Sequence, residues 1–457
     1  MEKLNIGDNL FIVMDNEEEK AHVLSCFMLE KPKDYADDYI ETLVKEVRNN
    51  PWPLPHFKER IARSITSLGF YYWEPVTNMD MAHHVKCVDL HGKGTEKDLR
   101  GYASSIQRQA LDYNRPLWEL CIIDGFEDNK FFAIVMKAHH CTIDGVSVMN
   151  VLEEVFRIEQ TDLSNPDMDR KKQKQHAKIK TNKKSKISAI MDFTQGLSKV
   201  ISDIKSEKSL MLPPVGVVPK TRFNYVTRPG RSFSTTSMPL SDIKELSKKT
   251  GGTVNDIVSA IVGTGLRHYL ESKGEPLDKS LYATMPVSLH TNETMDESNK
   301  IGLVCYPLAS DINNPAEQVA AIKRSTEEAK EQIKSVPQSV MYSLMGLELM
   351  TILTNKLRGR RKVNTRSMTN VIISNVPSFK ETRYYKGSKL LGLYPLSLLI
   401  DGTALNITVT SYVDKLDFGL TSDKSMAPDI ELIAGYMWDA MEEMKASILN
   451  HPVAKAG

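Results

Sequence analysis

Residues 131–156 read FFAIVMKAHHCTIDGVSVMNVLEEVF, a run that passes from strand-like to helix-like spacing. Phe131 to Ala138 is an apolar run with one charge, Lys137. It is short and β-rich enough for a buried strand. Val148, Val151, Leu152, Val155 and Phe156 then recur at the spacing of one helix face. Between them lie His139, His140, Cys141, Thr142, Ile143, Asp144 and Gly145. Each has an ordinary structural explanation: a hydrogen-bonded core histidine, a helix N-cap at Asp144, a tight turn at Gly145. The combination H-H-x-x-x-D-G is far more specific than any member. Neighbouring strand residues point to opposite faces, so His139 and His140 divide into one structural and one working histidine.

Working outward, Val23 to Leu29 reads as a strand and Tyr35 to Val47 as an amphipathic helix. Pro51, Pro53 and Pro55 end that pattern. His84 to Leu90 reads as a strand and Lys97 to Tyr113 as a helix. Asp124 to Lys130 reads as a hairpin turn into the Phe131 strand. Arg231 to Leu240 is a further strand, and Ser241 is expected to cap a helix ended by Gly251-Gly252. Thr253 with Asp256 forms a capping-box variant at the start of a helix carrying Ile257, Ile261, Leu266 and Leu270. Strands follow at 281–289, 301–308 and 371–376. A hairpin spans 405–420, and a last helix opens at Pro428.

At 457 residues the chain is long enough for two cores. Its net charge of +1 gives no reason to expect nucleic acid. Five scattered cysteines without a C-x-x-C exclude a disulfide framework and a zinc site by pattern, and fit a reducing, cytosolic setting. The first twenty residues are too acidic for a signal peptide. No window reaches the roughly 18 apolar residues that span a bilayer. The nearest, Val340 to Leu353, is either a buried helix or a surface helix dipping into lipid. Arg170 to Lys186 holds nine Lys or Arg and no acid. It reads as a solvated tether or as an attraction to anionic head groups.

The motif, together with Pro116-Leu117-Trp118, Thr253-Val254-Asn255-Asp256-Ile257-Val258, Ser374-Asn375-Val376-Pro377 and Gly402-Thr403-Ala404-Leu405-Asn406-Ile407-Thr408, resembles the bacterial wax ester synthase/acyl-CoA:diacylglycerol acyltransferase family within the CoA-dependent acyltransferase superfamily. The resemblance runs to about residue 445, apart from one linker. It implies two α/β domains of chloramphenicol-acetyltransferase type, each a mixed sheet with helices, with an active-site channel between them. The divisions are an N-terminal half at 1–162, a basic linker at 163–219 and a C-terminal half at 220–457.

The resemblance also implies an O-acyltransferase. It would move a long-chain acyl group from acyl-CoA to a long-chain alcohol or diacylglycerol by direct transfer. His140 becomes the general base, Asn255 a hydrogen-bond donor at the active site, and His139, Asp144 and Gly145 the support of the motif. Pro116, Leu117, Trp118 and Asn375 become channel candidates. From the residues alone, Asn255 is equally a polar first-turn residue, and Asn375 equally a turn residue. The family commonly continues Gly-Pro after Asn-Val-Pro, where this chain has Ser378-Phe379, which marks a different loop. No metal or cofactor is implied, since acyl-CoA is a substrate. Peripheral contact with the inner membrane or lipid inclusions is expected, and nucleic acid is not. Cys141 is set aside as a nucleophile, because adjacent strand residues point apart. The alternatives are a non-catalytic lipid- or partner-binding module of the same fold and a condensation-type enzyme with a carrier-bound acyl donor.

Overall fold

The computed structural model describes residues 2–4, 6–16, 20–53, 56–63, 71–143, 145–159, 216–225, 228–288, 301–334, 369–376, 378–400 and 402–449. Asp144, Pro377, Val340 to Leu353 and the basic run Arg170 to Lys186 lie outside the described residues. The elements fall into two mixed six-stranded sheets and one small three-stranded sheet.

The first large sheet is built on β2 (His22–Glu30), β5 (Val85–Gly94, entered through the short helix α3, Met81–His84), β6 (Trp118–Phe126) and β7 (Phe131–His139). Strand β7 pairs antiparallel with β2 on one side and β6 on the other. Phe132, Ile134, Met136 and Ala138 face one core, shared with α2 (Tyr39–Asn49) and α5 (Gly145–Val155). Ala133 and Val135 face the opposite core, against α4 (Glu96–Arg108). Burial on both faces explains why the strand reads as a near-continuous apolar run rather than an alternation. The turn from β6 to β7 places Gly125, Glu127, Asp128 and Asn129 at positive φ.

The second sheet runs in the order β10 (Ile301–Pro307), β9 (Tyr282–Ser288), β11 (Val371–Val376), β14 (Leu405–Tyr412), β15 (Lys415–Asp423), β8 (Arg231–Pro239). Leu405, Ile407, Val409, Leu416, Phe418 and Leu420 face a core made with α6 (Leu240–Thr250), α7 (Val254–Ser272), α8 (Pro315–Lys334) and α9 (Ile430–Leu449). The apolar face of α9, Ile430, Ile433, Met437, Met441 and Met444, is fully buried in it. One cap differs from expectation. Pro239 is the N-cap of α6 and Ser241 lies within the first turn, because β8 runs straight into the helix. The Thr253–Asp256 capping box of α7 is present with both bonds formed.

The other face of the second sheet is polar and small: Asn406, Thr408, Thr410, Asp417 and Gly419. Onto it lies β13 (Ser388–Leu396), preceded by β12 (Tyr384–Tyr385). By position in the chain β12 and β13 follow β11, yet β13 pairs antiparallel with β2 and extends the first sheet. The strand is tied from below: the Leu393 N–H donates to the buried Asp417 carboxylate at 2.9 Å. Asp417 also accepts from Ser237 Oγ at 2.6 Å and stands 3.1 Å from Lys415 Nζ. A Cβ at Gly419 would meet the Pro395 carbonyl oxygen at 1.8 Å. The two sheets therefore approach backbone to backbone at this point, which only glycine allows.

The small sheet, β1 (Glu2–Lys3), β4 (Tyr71–Pro75) and β3 (Glu59–Arg63), packs with α1 (Ile6–Met14). Their shared core of Leu4, Ile12, Ile61, Trp73 and Leu111 includes Leu117 and Cys141, so it braces the end of β7.

The seat of β13 makes a direct prediction. Gly419→Ala forces the Pro395 backbone off the second sheet and should cost at least about 3 kcal/mol, at or above the usual range for overpacking. Gly435→Ala in α9 meets open space and should stabilise by about 1 kcal/mol. Urea unfolding of the two variants checks both signs, and a neutral Gly419→Ala would contradict the close approach.

Candidate active site

Strand β7 delivers the two histidines and then stops. The His139 N–H donates to the Leu117 carbonyl at 3.0 Å, and the His140 N–H donates to the Ala21 carbonyl at 2.8 Å. Thr142 turns the chain back, its N–H and Oγ both donating to the His139 carbonyl at 2.9 and 2.7 Å. Helix α5 begins at Gly145.

The side chains part as the strand alternation requires. His139 is completely buried. Its Nδ1 accepts the Cys141 N–H at 3.2 Å and lies 3.0 Å from Cys141 Sγ. An imidazole nitrogen that accepts a backbone N–H is unprotonated, so in the neutral ring the proton sits on Nε2. That atom stands 3.3 Å from Tyr113 Oη and 3.6 Å from Asp15 Oδ2. Tyr113 in turn donates to Asp15 at 2.7 Å. His140 is only partly buried, with its ring stacked on Phe11 of α1 at 4.0 Å and 20°.

The electrostatics beneath the loop are unusual for a core. Burial works to raise the Asp15 carboxyl, but hydrogen bonds from His139 and Tyr113 and the nearby histidines outweigh it and hold the group at about 2. Burial, then the Asp15 charge, pushes the Tyr113 phenol up, so it stays a donor. Burial raises the Cys141 thiol well above its ordinary value, and the side chain is 4% exposed. A thiol so held is protonated and closed to substrate, which agrees with setting it aside as a nucleophile. Lys137, fully buried, donates to the Gln109 carbonyl, and burial lowers its pKa to about 8. His22 is fully buried beside His139 and Asp15, and among the described residues neither ring nitrogen has a hydrogen-bond partner. Burial first, and Lys137 second, push its pKa well down, so it is neutral in the fold.

The structure brings Asn255 and Asn375 together. Asn255 lies in the first turn of α7, where its carbonyl accepts from Ser259 Oγ at 2.7 Å. Ser259 also meets Tyr306 Oη at 2.9 Å. Asn375, exposed near the end of β11, donates from Nδ2 to Asn255 Oδ1 at 2.7 Å. The pair stands on the second half, and His140 on the first.

Pro116, Leu117 and Trp118 are buried. Trp118 is sandwiched between Phe57 at 4.4 Å and His84 at 4.5 Å, and its Nε1 donates to the Phe57 carbonyl at 2.9 Å. What this tripeptide does visibly is to hold His139 through the Leu117 carbonyl. Phe11, Asp15, His22 and Tyr113 escaped the sequence reading. Asp15 opens an acidic run that looks solvated, and no local pattern connects it to Tyr113 or His139. Among the described residues no group of three or more His, Cys, Asp or Glu side chains is placed to hold a metal ion.

Comparison with known proteins bears on the fold and the family of the chain. The model of the wax ester synthase/diacylglycerol acyltransferase catalytic domain matches residues 4–258, and that of the corresponding C-terminal domain matches 297–445. An O-acyltransferase of Acinetobacter baylyi is 29% identical over 97% of this chain and 96% of its own. A putative diacylglycerol O-acyltransferase of Mycobacterium tuberculosis is 28% identical over 96% and 99%. Among solved structures, the wax ester synthase/diacylglycerol acyltransferase of Marinobacter aquaeolei is 25% identical with a TM-score of 0.75, covering 98% of this chain and 99% of that one. The first condensation domain of the CDA synthetase shares the fold at 10% identity and a TM-score of 0.60, over 98% and 97%.

Neutral burial of His22 has a pH signature. Below about pH 6.5, the unfolded chain takes up a proton that folded His22 refuses, so stability falls as the pH falls. Asp15, held at about 2, contributes stability that is lost only below the ordinary carboxylate range. In His22→Asn the drop in Tm between roughly pH 7 and 5.5 should be smaller than in the wild type. An equal drop would contradict the neutral assignment.

Proposed function

This chain belongs to the wax ester synthase/diacylglycerol acyltransferase family, and on that premise we propose that it is an O-acyltransferase. It moves a long-chain acyl group from acyl-CoA to a hydrophobic alcohol, giving wax esters, triacylglycerols or both. The observation that carries the mechanism is the division of labour in the histidine pair. His139 is locked on both ring nitrogens, while His140 is turned out and partly exposed against Phe11.

In the proposed reaction His140 takes the proton of the acceptor hydroxyl, and the alcohol oxygen forms a bond to the thioester carbonyl carbon. The carbonyl oxygen becomes an oxyanion, to which Asn255 donates a hydrogen bond. A helix N-terminus carries partial positive charge, so the first turn of α7 suits that task. Collapse breaks the carbon–sulfur bond, and the departing CoA sulfur takes the proton back from His140. A histidine suits both proton transfers because its ordinary pKa lies near working pH. In this proposal Asp144 and Gly145 keep the supporting role that the family resemblance implies.

The basic run Arg170 to Lys186 draws the enzyme to anionic lipid, where both apolar substrates reside. Among the described residues no helix is long and apolar enough to cross a membrane. Liposome binding that weakens when these lysines are neutralised supports the attraction, and unchanged binding removes it.

Palmitoyl-CoA offered with hexadecanol and with dioleoylglycerol, with CoA release followed, tests the activity. His140→Ala should lower kcat by at least about 100-fold, the lower range for losing general-base catalysis. Cys141→Ala should stay within about threefold of wild type. A reversed order of the two variants would overturn the assignment of the base.

A further inference from the structure

We infer that Asn375 is a positioning residue that acts through Asn255, fixing which end of the Asn255 amide faces the reacting carbonyl. The inference deepens the proposed oxyanion role of Asn255 and rests on it.

An asparagine amide offers one acceptor oxygen and two N–H donors, and its terminal torsion is broad rather than confined to a staggered well. Left alone, it can present either end. An oxygen facing a developing oxyanion would repel what a donor would stabilise, so the orientation matters for catalysis.

The backbone around Asn255 is held by the capping box and by Ser259. Thr253 N–H and Oγ1 both donate to Asp256 Oδ2 at 2.8 Å, and the Asp256 N–H returns to Thr253 Oγ1 at 3.3 Å. Thr326 holds the other Asp256 oxygen at 3.0 Å. Ser259 bonds the Asn255 carbonyl. The amide itself is engaged by Asn375, whose Nδ2 occupies Asn255 Oδ1 at 2.7 Å. With the oxygen taken, the donor end is the one left to face outward.

Asn375 is in turn set by the sheet. Its residue pairs with Val409 of β14, one step beyond Ser374 with Thr408. The bond thus joins a helix N-terminus to a strand end across 120 positions of sequence. Asn375 is exposed and Asn255 partly so, so no buried polar group needs this bond for the fold to be stable.

A double-mutant cycle tests the inference, with kcat, KM for acyl-CoA and Tm measured on the full chain using palmitoyl-CoA and hexadecanol. Asn255→Ala should lower kcat about 100- to 1,000-fold, the usual loss for one oxyanion donor. Asn375→Ala should lower kcat about three- to tenfold, the worth of one hydrogen bond, with KM and Tm unchanged. Asn375→Asp should be slower still, because a carboxylate accepts from Asn255 Nδ2 and turns the donor away. Neither change at 375 should slow Asn255→Ala further, since a residue that acts through Asn255 has nothing left to act on. If the losses multiply, Asn375 works on the substrate by itself and the inference is overturned. The same follows if Asn375→Ala and Asn375→Asp are as fast as wild type while Asn255→Ala is slow. A fast Asn255→Ala overturns the oxyanion role itself, and the inference with it.

Discussion

Strand β13 couples the two large sheets through hydrogen bonds on its edge and packing on its face. It is bonded into the first sheet through β2 and pressed onto the second through Pro395 and Gly419. One strand is therefore hydrogen-bonded into the first sheet and packed face-on against the second. The Leu393–Asp417 bond fixes its height above the second sheet, and the absence of a side chain at 419 fixes how close it lies. Strand β2 is also the neighbour of β7, so the histidine pair at the end of β7 is registered, through two rows of ladder bonds, to the face of the second sheet. The two halves are thereby placed against each other, with His140 just past the end of β7 and Asn255 in the first turn of α7.

The proposed chemistry rests on unequal treatment of two adjacent histidines. A catalytic base must be reachable and must be able to change charge. A histidine that holds a loop should do neither. Strand alternation separates the two rings. One ring turns inward, where Tyr113, Asp15 and the Cys141 N–H use both its nitrogens. The next turns outward onto Phe11. Burying Asp15, His22 and Lys137 under the loop costs solvation, and the hydrogen bonds of Asp15 and Lys137 offset part of that cost. His22 escapes most of it by staying neutral.

Much of this was legible from local signals. The β7 strand, the α5 face, the Thr253–Asp256 box and the β14–β15 hairpin each carry their own periodicity or cap, and each lies where the pattern put it, to within a few residues. Strand β13 was not legible. SKLLGLYPL contains a glycine and a proline that argue against a strand, and its partner β2 lies near the other end of the chain. The small sheet and α1 were missed for a similar reason: their strands are short and half-buried, without clean alternation. In the site, the histidine pair announced itself as a motif. The bond between Asn255 and Asn375 and the approach of Asp15 to His139 exist only after folding, because they join segments with no local relation.

The proposed mechanism is direct transfer, with His140 as base and no acyl group carried on the protein. It is tested most directly by intact-protein mass spectrometry after mixing the enzyme with palmitoyl-CoA, without acceptor and then with hexadecanol in a single turnover. Direct transfer predicts unmodified protein at every time point, with ester appearing only once the alcohol is present. A protein mass raised by one palmitoyl group before the alcohol is added, and discharged by it at the rate of ester formation, would contradict it and send the search for a nucleophile back to Cys141.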